Sequence, residues 1–304
     1  MRLARTALLV LTALAAAAPA LADPAGFAFL KVPAGARASG LSGAYASLAD
    51  GTEGIFWNPA ALEGVKGIQV IGSHYEYLEK LRHDQFAVGW RMLGGGVAAS
   101  VRALYSEPIE ERDALGNLIG TFGSHDLQFA LGYGRQIAPG LRFGATGEAV
   151  RERIADEAAM TFAAGVGTTW EPSRLAGVRL SASVNDLGPA AHYQIDGSSG
   201  DPVRLPSALQ LGASYGRPFT EGFAIRGALE SRMIAGQGGI ESVGAELAHL
   251  SGAAVRAGLS VGDTESSFSV GAGWAVQSLR LDYAFVPFKN ELGDTHRLSF
   301  AAQF

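Results

Sequence analysis

From Gly67 to Phe304 the chain repeats one unit: a short segment in which apolar and polar residues alternate, then a turn. The segment Arg297-Leu298-Ser299-Phe300-Ala301-Ala302-Gln303-Phe304 shows it best and ends on an aromatic residue. A period of two means strands with two unlike faces. A soluble sandwich turns the apolar face to a dry core. A membrane barrel turns it to lipid and keeps the polar face inside.

The first residues favour the barrel. Met1-Arg2-Leu3-Ala4-Arg5 is a basic start, Thr6 to Ala18 is apolar, and Ala20-Leu21-Ala22 is a small-residue cleavage site before Asp23. This reads as a cleaved Sec signal peptide over residues 1–22. Removing Arg2 and Arg5 leaves 22 basic against 29 acidic residues, a mature charge of −7. That balance argues against a nucleic-acid partner, which needs a basic stripe. The chain has no cysteine, so a disulfide-stapled secreted module is excluded. No later apolar run approaches the length of a membrane helix. Strands can span lipid only as a closed barrel, because every backbone group must be paired.

About fourteen strands are predicted: Gly67–Leu78, His83–Met92, Gly95–Ser106, Thr121–Gln136, Leu141–Arg153, Ala158–Glu171, Val178–Leu187, Leu205–Arg217, Gly222–Met233, Gly239–Ala248, Ala253–Gly262, Ser266–Val276, Leu279–Val286 and Thr295–Phe304. The fold expected is all-β, a transmembrane antiparallel up-and-down barrel over residues 67–304. Alternation assigns Arg142, Glu148, Arg179, Arg226, Glu230, Arg256, Arg280, Asp282 and Arg297 to the interior. A charge facing lipid at mid-membrane costs about 2–4 kcal/mol, and a dry sandwich core could not hold so many either. The even-numbered connections are short, such as Leu93-Gly94 and Gln277-Ser278, whereas the odd ones include Glu107–Gly120 and Gly188–Arg204. This parity fits short periplasmic turns and longer outer loops. Tyr75, Tyr77, Trp90, Tyr105, Trp170, Tyr215, Phe219, Phe285 and Phe288 near strand ends suggest interfacial girdles.

Residues 23–66 do not read as strands. Ala34–Ala49 is small and helical in character, and Phe27, Phe29, Leu41, Tyr45, Phe56 and Trp57 make the segment too apolar for a disordered tail. A segment of this length before the first strand is expected to be a partly helical plug. Gly40 and Gly43 would let its backbone pass close to the wall. Asn58-Pro59 would make a turn, and Arg37 and Asp50 would pair with interior charges.

Gly35-Ala36-Arg37-Ala38, Gly40, Gly43-Ala44-Tyr45, Ala49-Asp50 and Trp57-Asn58-Pro59-Ala60 together resemble the N-terminal motif of FadL-like outer-membrane barrels. Within them the chain is most similar to the PorV/PorQ branch. Val184-Asn185-Asp186-Leu187-Gly188-Pro189 and Leu281-Asp282-Tyr283-Ala284-Phe285-Val286-Pro287 support that branch. The family often has glycine where Ser42 and Ala61 stand, and a second acid where Gly51 stands. The resemblance implies a fourteen-stranded barrel with an N-terminal plug in the outer membrane of a diderm bacterium. It implies one of two roles. One is binding or conducting hydrophobic or amphipathic molecules, with Phe27, Phe29, Phe56 and Trp57 along the path. The other is a non-enzymatic partner of a type IX-like secretion system, receiving cargo through the outer loops. A structural outer-membrane role is the third class. Phe304 looks like the C-terminal aromatic that such barrels present to their assembly machinery, and outer-membrane lipid would surround the wall.

No catalytic, metal or cofactor site is predicted. Gly212-Ala213-Ser214-Tyr215-Gly216 matches a nucleophile-elbow pattern, but that motif needs a strand-to-helix turn and Ser214 falls mid-strand. The six histidines form no close ligand pair.

Overall fold

A computed structural model describes residues 26–77, 81–195, 198–290 and 292–304. The predicted signal peptide, residues 1–22, lies outside the described residues. Among the described residues there are eighteen strands: β1 (Ile68–Glu76), β2 (Arg82–Met92), β3 (Gly95–Tyr105), β4 (Ile109–Arg112), β5 (Leu118–Phe122), β6 (Ser124–Ala138), β7 (Leu141–Ile154), β8 (Glu157–Trp170), β9 (Val178–Leu187), β10 (Ala191–Ile195), β11 (Ser198–Val203), β12 (Ala208–Thr220), β13 (Phe223–Ile234), β14 (Gly238–His249), β15 (Ala253–Val261), β16 (Phe268–Val276), β17 (Leu279–Pro287) and β18 (Asp294–Gln303). Fourteen of them form one closed antiparallel barrel, sealed where β1 pairs with β18. The other four are two hairpins: β10–β11 lies within the long connection Gly188–Arg204, and β4–β5 fills Glu107–Gly120 and extends to Phe122, taking the first two residues of the predicted strand Thr121–Gln136. The alternation pattern had not marked these hairpins, because each strand is only 4–6 residues long.

The outer face is apolar. Phe129, Leu131, Phe162, Leu229, Leu259, Leu281 and Phe300 all project from the barrel, Leu131 and Phe162 at 65% exposure. Such a belt around a closed barrel is the surface that hydrocarbon covers in a membrane. The wall is uneven in height: β6 has 15 residues and β7 and β8 have 14 each, whereas β1, β15, β16 and β17 have nine.

The tight turns rely on left-handed backbone. Leu93 (φ 55°) and Gly94 (φ 72°) close β2–β3, a conformation that matches strand twist and favours glycine. Two of the expected girdle residues face inward instead. Tyr75 lies on the Ile71–Ser73–Tyr75 face of β1, is buried, and donates its hydroxyl to the Pro33 carbonyl at 3.0 Å. Tyr77 packs against the interior cluster of Phe27 and Phe29. Trp90, Tyr105, Tyr215 and Phe285 lie on the outward face of their strands.

Candidate functional site: a plugged lumen

Residues 26–66 thread the lumen from end to end. Phe27, Phe29 and Leu30 are buried at the loop end against Leu104, Val150 and Leu205. Pro59–Gly64 forms a 3₁₀ helix near the short-turn end, and the chain leaves the lumen at Gly67 to enter β1. Ala34–Ala49 is less helical than its composition implies. It forms one short helix, Ala36–Ser39, and then consecutive turns. Alanine favours helix, but contact with the wall overrides that preference. Gly40 lies against β16, where an added Cβ would stand 3.1 Å from Gly271 Cα. Gly43 plays a different part from the one expected. It lies nearest the plug's own Trp57 and carries φ 81°, so it serves a left-handed turn rather than a close approach to the wall. Ser42 is also left-handed (φ 51°), a backbone conformation that favours glycine.

The wall makes room for the plug with glycines of its own. Gly96, Gly134, Gly144 and Gly167 are directly paired across β3, β6, β7 and β8, forming one row on the lumen face. The 3₁₀ helix lies on this row: an added Cβ would meet Leu62 O at Gly96, Pro59 O at Gly134 and Gly144, and Asn58 Oδ1 at Gly167, all under 3.0 Å. Asn58 caps that helix by accepting from Ala60 N at 3.0 Å, and donates to Thr168 O at 3.1 Å. Its extended backbone (φ −149°, ψ 109°) suits a residue before proline. A second pair, Gly244 and Gly258, receives Leu41. Sequence reasoning missed both tracks, although each glycine falls on the lumen parity of its strand.

At mid-lumen, plug and wall share a closed ring of charge-assisted bonds. Arg37 binds Glu246 through Nε and Nη2, both at 3.0 Å. Glu246 also accepts from Arg226 (2.6 Å) and Arg256 (2.6 Å). Arg256 reaches Asp282 at 2.8 Å, and Asp282 holds Arg280 Nε at 2.8 Å. Arg280 binds the plug's Glu53, which accepts from the Tyr45 hydroxyl, and Arg37 Nη1 returns to Tyr45 at 3.3 Å. Burial acts to raise the Glu53 carboxyl, but Arg280 and Arg37 overcome it and hold the group below the usual glutamate range.

Most of the remaining interior charges serve the same interface. Glu230 accepts from the backbone N–H groups of Tyr45 (2.9 Å) and Ala46 (2.7 Å). Arg297 donates to Ser39 Oγ at 2.9 Å and lies 4.6 Å over the Tyr75 ring. Arg142 pairs with Asp50 at 3.3 Å, and Arg179 donates to Ala49 O at 3.2 Å. Glu148 is tied to Gln128 (2.7 Å) and Thr146 (2.9 Å) within the wall, with no plug contact among these bonds. Gly35 N–H donates to Gln85 at 3.0 Å. Trp57 donates to Ala34 O at 3.1 Å and meets Tyr45 edge-on, ring centroids 5.5 Å apart.

Phe27, Phe29 and Trp57 are therefore packed, and Phe56 is half-buried beside them. The two cavities beside Phe56 and Trp57 each hold about 30 Å³. A dry cavity that binds benzene is about 150 Å³, so neither space admits even the smallest aromatic hydrocarbon. Larger spaces lie at the short-turn end: 570 Å³ beside Arg37, Arg179 and Arg226, and 410 Å³ beside Gln69 and Ile71. Glu53 and Arg280 line both the 410 Å³ vestibule and one of the small cavities, so that ion pair stands between them.

Ser214 lies in β12 with its hydroxyl 3.2 Å from Ser47 O, and β12 runs on as strand to Thr220. Phe304 is exposed, with its backbone paired to Ile68.

No protein-family model and no curated protein matches the chain in sequence. Solved structures match in fold. The CymD monoaromatic hydrocarbon channel is 13% identical with a TM-score of 0.59, covering 89% of this chain and 97% of that one. The Pseudomonas putida toluene transporter TodX is 14% identical with a TM-score of 0.59, covering 94% of this chain and all of that one. A Pseudomonas aeruginosa FadL homologue is 11% identical with a TM-score of 0.55, covering 90% and 99%. The chain thus has the fold of FadL-family outer-membrane channels, a closed fourteen-stranded barrel preceded by short helical turns.

Proposed function

We propose that this protein is an outer-membrane conduit for hydrophobic or amphipathic small molecules, opened by movement of its N-terminal plug. The observation that carries this reading is the filled lumen. The plug leaves cavities of only about 30 Å³ beside Trp57, yet it is tied to the wall by side-chain bonds that can break without disturbing the barrel ladder. The fold it shares with a toluene transporter and a hydrocarbon channel supports the same class of cargo. The short-turn end, which also carries Phe304, would face the periplasm, with Phe304 as the assembly signal. The motif from Gly35 to Ala60 supports membership of the PorV/PorQ branch.

The test uses the absence of native cysteine. Ser42 Oγ on the plug and Ser269 Oγ on β16 are 2.8 Å apart, close enough for Ser42→Cys and Ser269→Cys to be bridged. Toluene and fatty-acid uptake are measured in cells or proteoliposomes, oxidised and then reduced. Uptake that stops on oxidation and returns on reduction supports a moving plug. Equal uptake in both states refutes it.

A second reading is a partner in protein secretion, and the outer hairpins favour it. β4–β5 exposes Leu118 and Ile119 and, at its tip, Leu115. The Asp113 carboxylate fixes that tip by accepting from Asn117 Nδ2 and from the N–H groups of Asn117 and Leu115, each at 2.9 Å. Removing residues 109–122 would abolish cargo export on this reading and leave small-molecule uptake intact.

A further inference from the structure

At the loop end two carboxylates stand side by side in the lumen. Asp126 on β6 is paired directly with Glu152 on β7, and both are buried, at 6% and 9% exposure. Their row continues as Leu104 on one side and Ala159 on the other. Both of those belong to the apolar cluster of Phe27, Val150 and Ala191. Asp126 Oδ1 has no hydrogen-bond partner. Glu152 Oε1 accepts from the Tyr193 hydroxyl of the β10–β11 hairpin. The plug enters the lumen against this pair: an added Cβ at Gly26 would stand 3.9 Å from Glu152 Oε1.

The surrounding basic residues are engaged elsewhere. Arg153 pairs with Asp156 and donates to Ala155 O. Arg102, in the next row towards the short-turn end, donates to Leu30 O and lies over the Phe56 ring. His83, beyond Leu104 in the same row, is bonded to Gln85. Among the described residues, no basic side chain is ion-paired with Asp126 or Glu152. Glu53, Glu246 and Asp282, by contrast, each have an arginine. Two adjacent carboxylates away from water are costly unless a cation or a proton joins them.

We propose that Asp126 and Glu152 form a binding site for a primary ammonium group. A calcium ion takes about 6–8 oxygen ligands, whereas this site is walled by hydrocarbon apart from two carboxylates and one phenol. An ammonium needs fewer partners: it brings its own N–H donors, and Asp126 Oδ1 is free to accept one. The apolar wall suits the body that carries the ammonium. On the conduit reading that body is an amphipathic amine entering from the loop end, its chain taking the place of Phe27 beside Leu104 and Val150. The same chemistry is available from the chain itself, because cleavage after Ala22 would leave an α-amino group three residues before Gly26.

The test reads binding, not transport. n-Decylamine is added to the wild-type barrel and to Asp126→Asn with Glu152→Gln, with n-decanol as the uncharged control, and hydrogen exchange at residues 27–31 is followed. A water-soluble carbodiimide, which joins a carboxylate to an amine in contact with it, is then applied to wild type and the linked peptides are identified. For an amine ligand, exchange rises with decylamine but not with decanol, the double variant needs about tenfold more amine, and decylamine is linked to Asp126 or Glu152. For the chain's own terminus, the amino-terminal peptide is linked instead, and the double variant alone raises exchange. Either result supports the ammonium site. If no amine is linked and the double variant exchanges like wild type, the carboxyls share a proton and the site is overturned. Protection that calcium confers and a chelator removes overturns it in favour of a metal. The cross-link is read on wild type, so it decides even where the double variant does not fold. Neither arm measures uptake, so failure here leaves the disulfide test of plug movement standing.

Discussion

The two halves of the plug are held by different physics. At the loop end, Phe27, Phe29 and Leu30 sit among Leu104, Val150 and Leu205. That contact is non-directional and scales with apolar area, so on the proposed conduit reading an apolar cargo would replace one partner with little penalty. At mid-lumen, Arg37, Tyr45 and Glu53 are fixed by directional hydrogen bonds to set partners, joined through the Arg256–Asp282 ion pair. Charged groups there have no apolar substitute, and losing one strands the others. The loop end is suited to yielding to a ligand. The ring is suited to setting the plug's register and to restoring it.

The largest break should come from Glu246→Gln. It removes the one carboxylate shared by Arg37, Arg226 and Arg256, and a buried pair broken on one side costs about 3–5 kcal/mol. Trypsin should then cut at Lys31 or Arg37 while the barrel keeps its heat-modifiable mobility on gels. Phe29→Ala, costing about 3 kcal/mol, should loosen only the loop end: faster hydrogen exchange at residues 27–31, with the ring unchanged. Gly258→Ala comes next. Its Cβ would stand 2.2 Å from Leu41 C, and overpacking of this kind costs about 1–3 kcal/mol; the check is altered cross-linking of Ser42→Cys to Ser269→Cys. If the alanine variant cross-links like its parent, the glycine track does not guide the plug.

The smallest effect is that of pH. The Glu53 carboxyl is held below the usual range, so its contribution is complete above that range and is lost as pH falls through the lowered value. The difference in plug hydrogen exchange between wild type and Glu53→Gln should be constant from about pH 7 to pH 5 and shrink only below about pH 4, the unperturbed carboxylate range. Loosening near pH 6 would point to a different group.

Alternation alone located all fourteen barrel strands, because lipid on one side and water or plug on the other impose a strict period of two. The interior position of Arg226, Glu230, Arg256, Arg280 and Asp282 followed from the same parity. Nearness to a strand end, by contrast, misplaced Tyr75 and Tyr77 in a girdle, although the parity of β1 turns Tyr75 inward. Alanine content likewise suggested more helix in Ala34–Ala49 than the crowded lumen permits.

Face, charge placement and strand number are local properties, repeated every two residues, and so they can be read along one chain. Which residues meet across the barrel depends on register, and a slip of one position turns every side chain of the strand to the other face. The row Gly96–Gly134–Gly144–Gly167 joins residues up to 71 positions apart in number, and the Arg37–Glu246 bond spans 209. The glycine track and the ring exist only once the sheet has closed on itself, because closure brings distant strands to one depth.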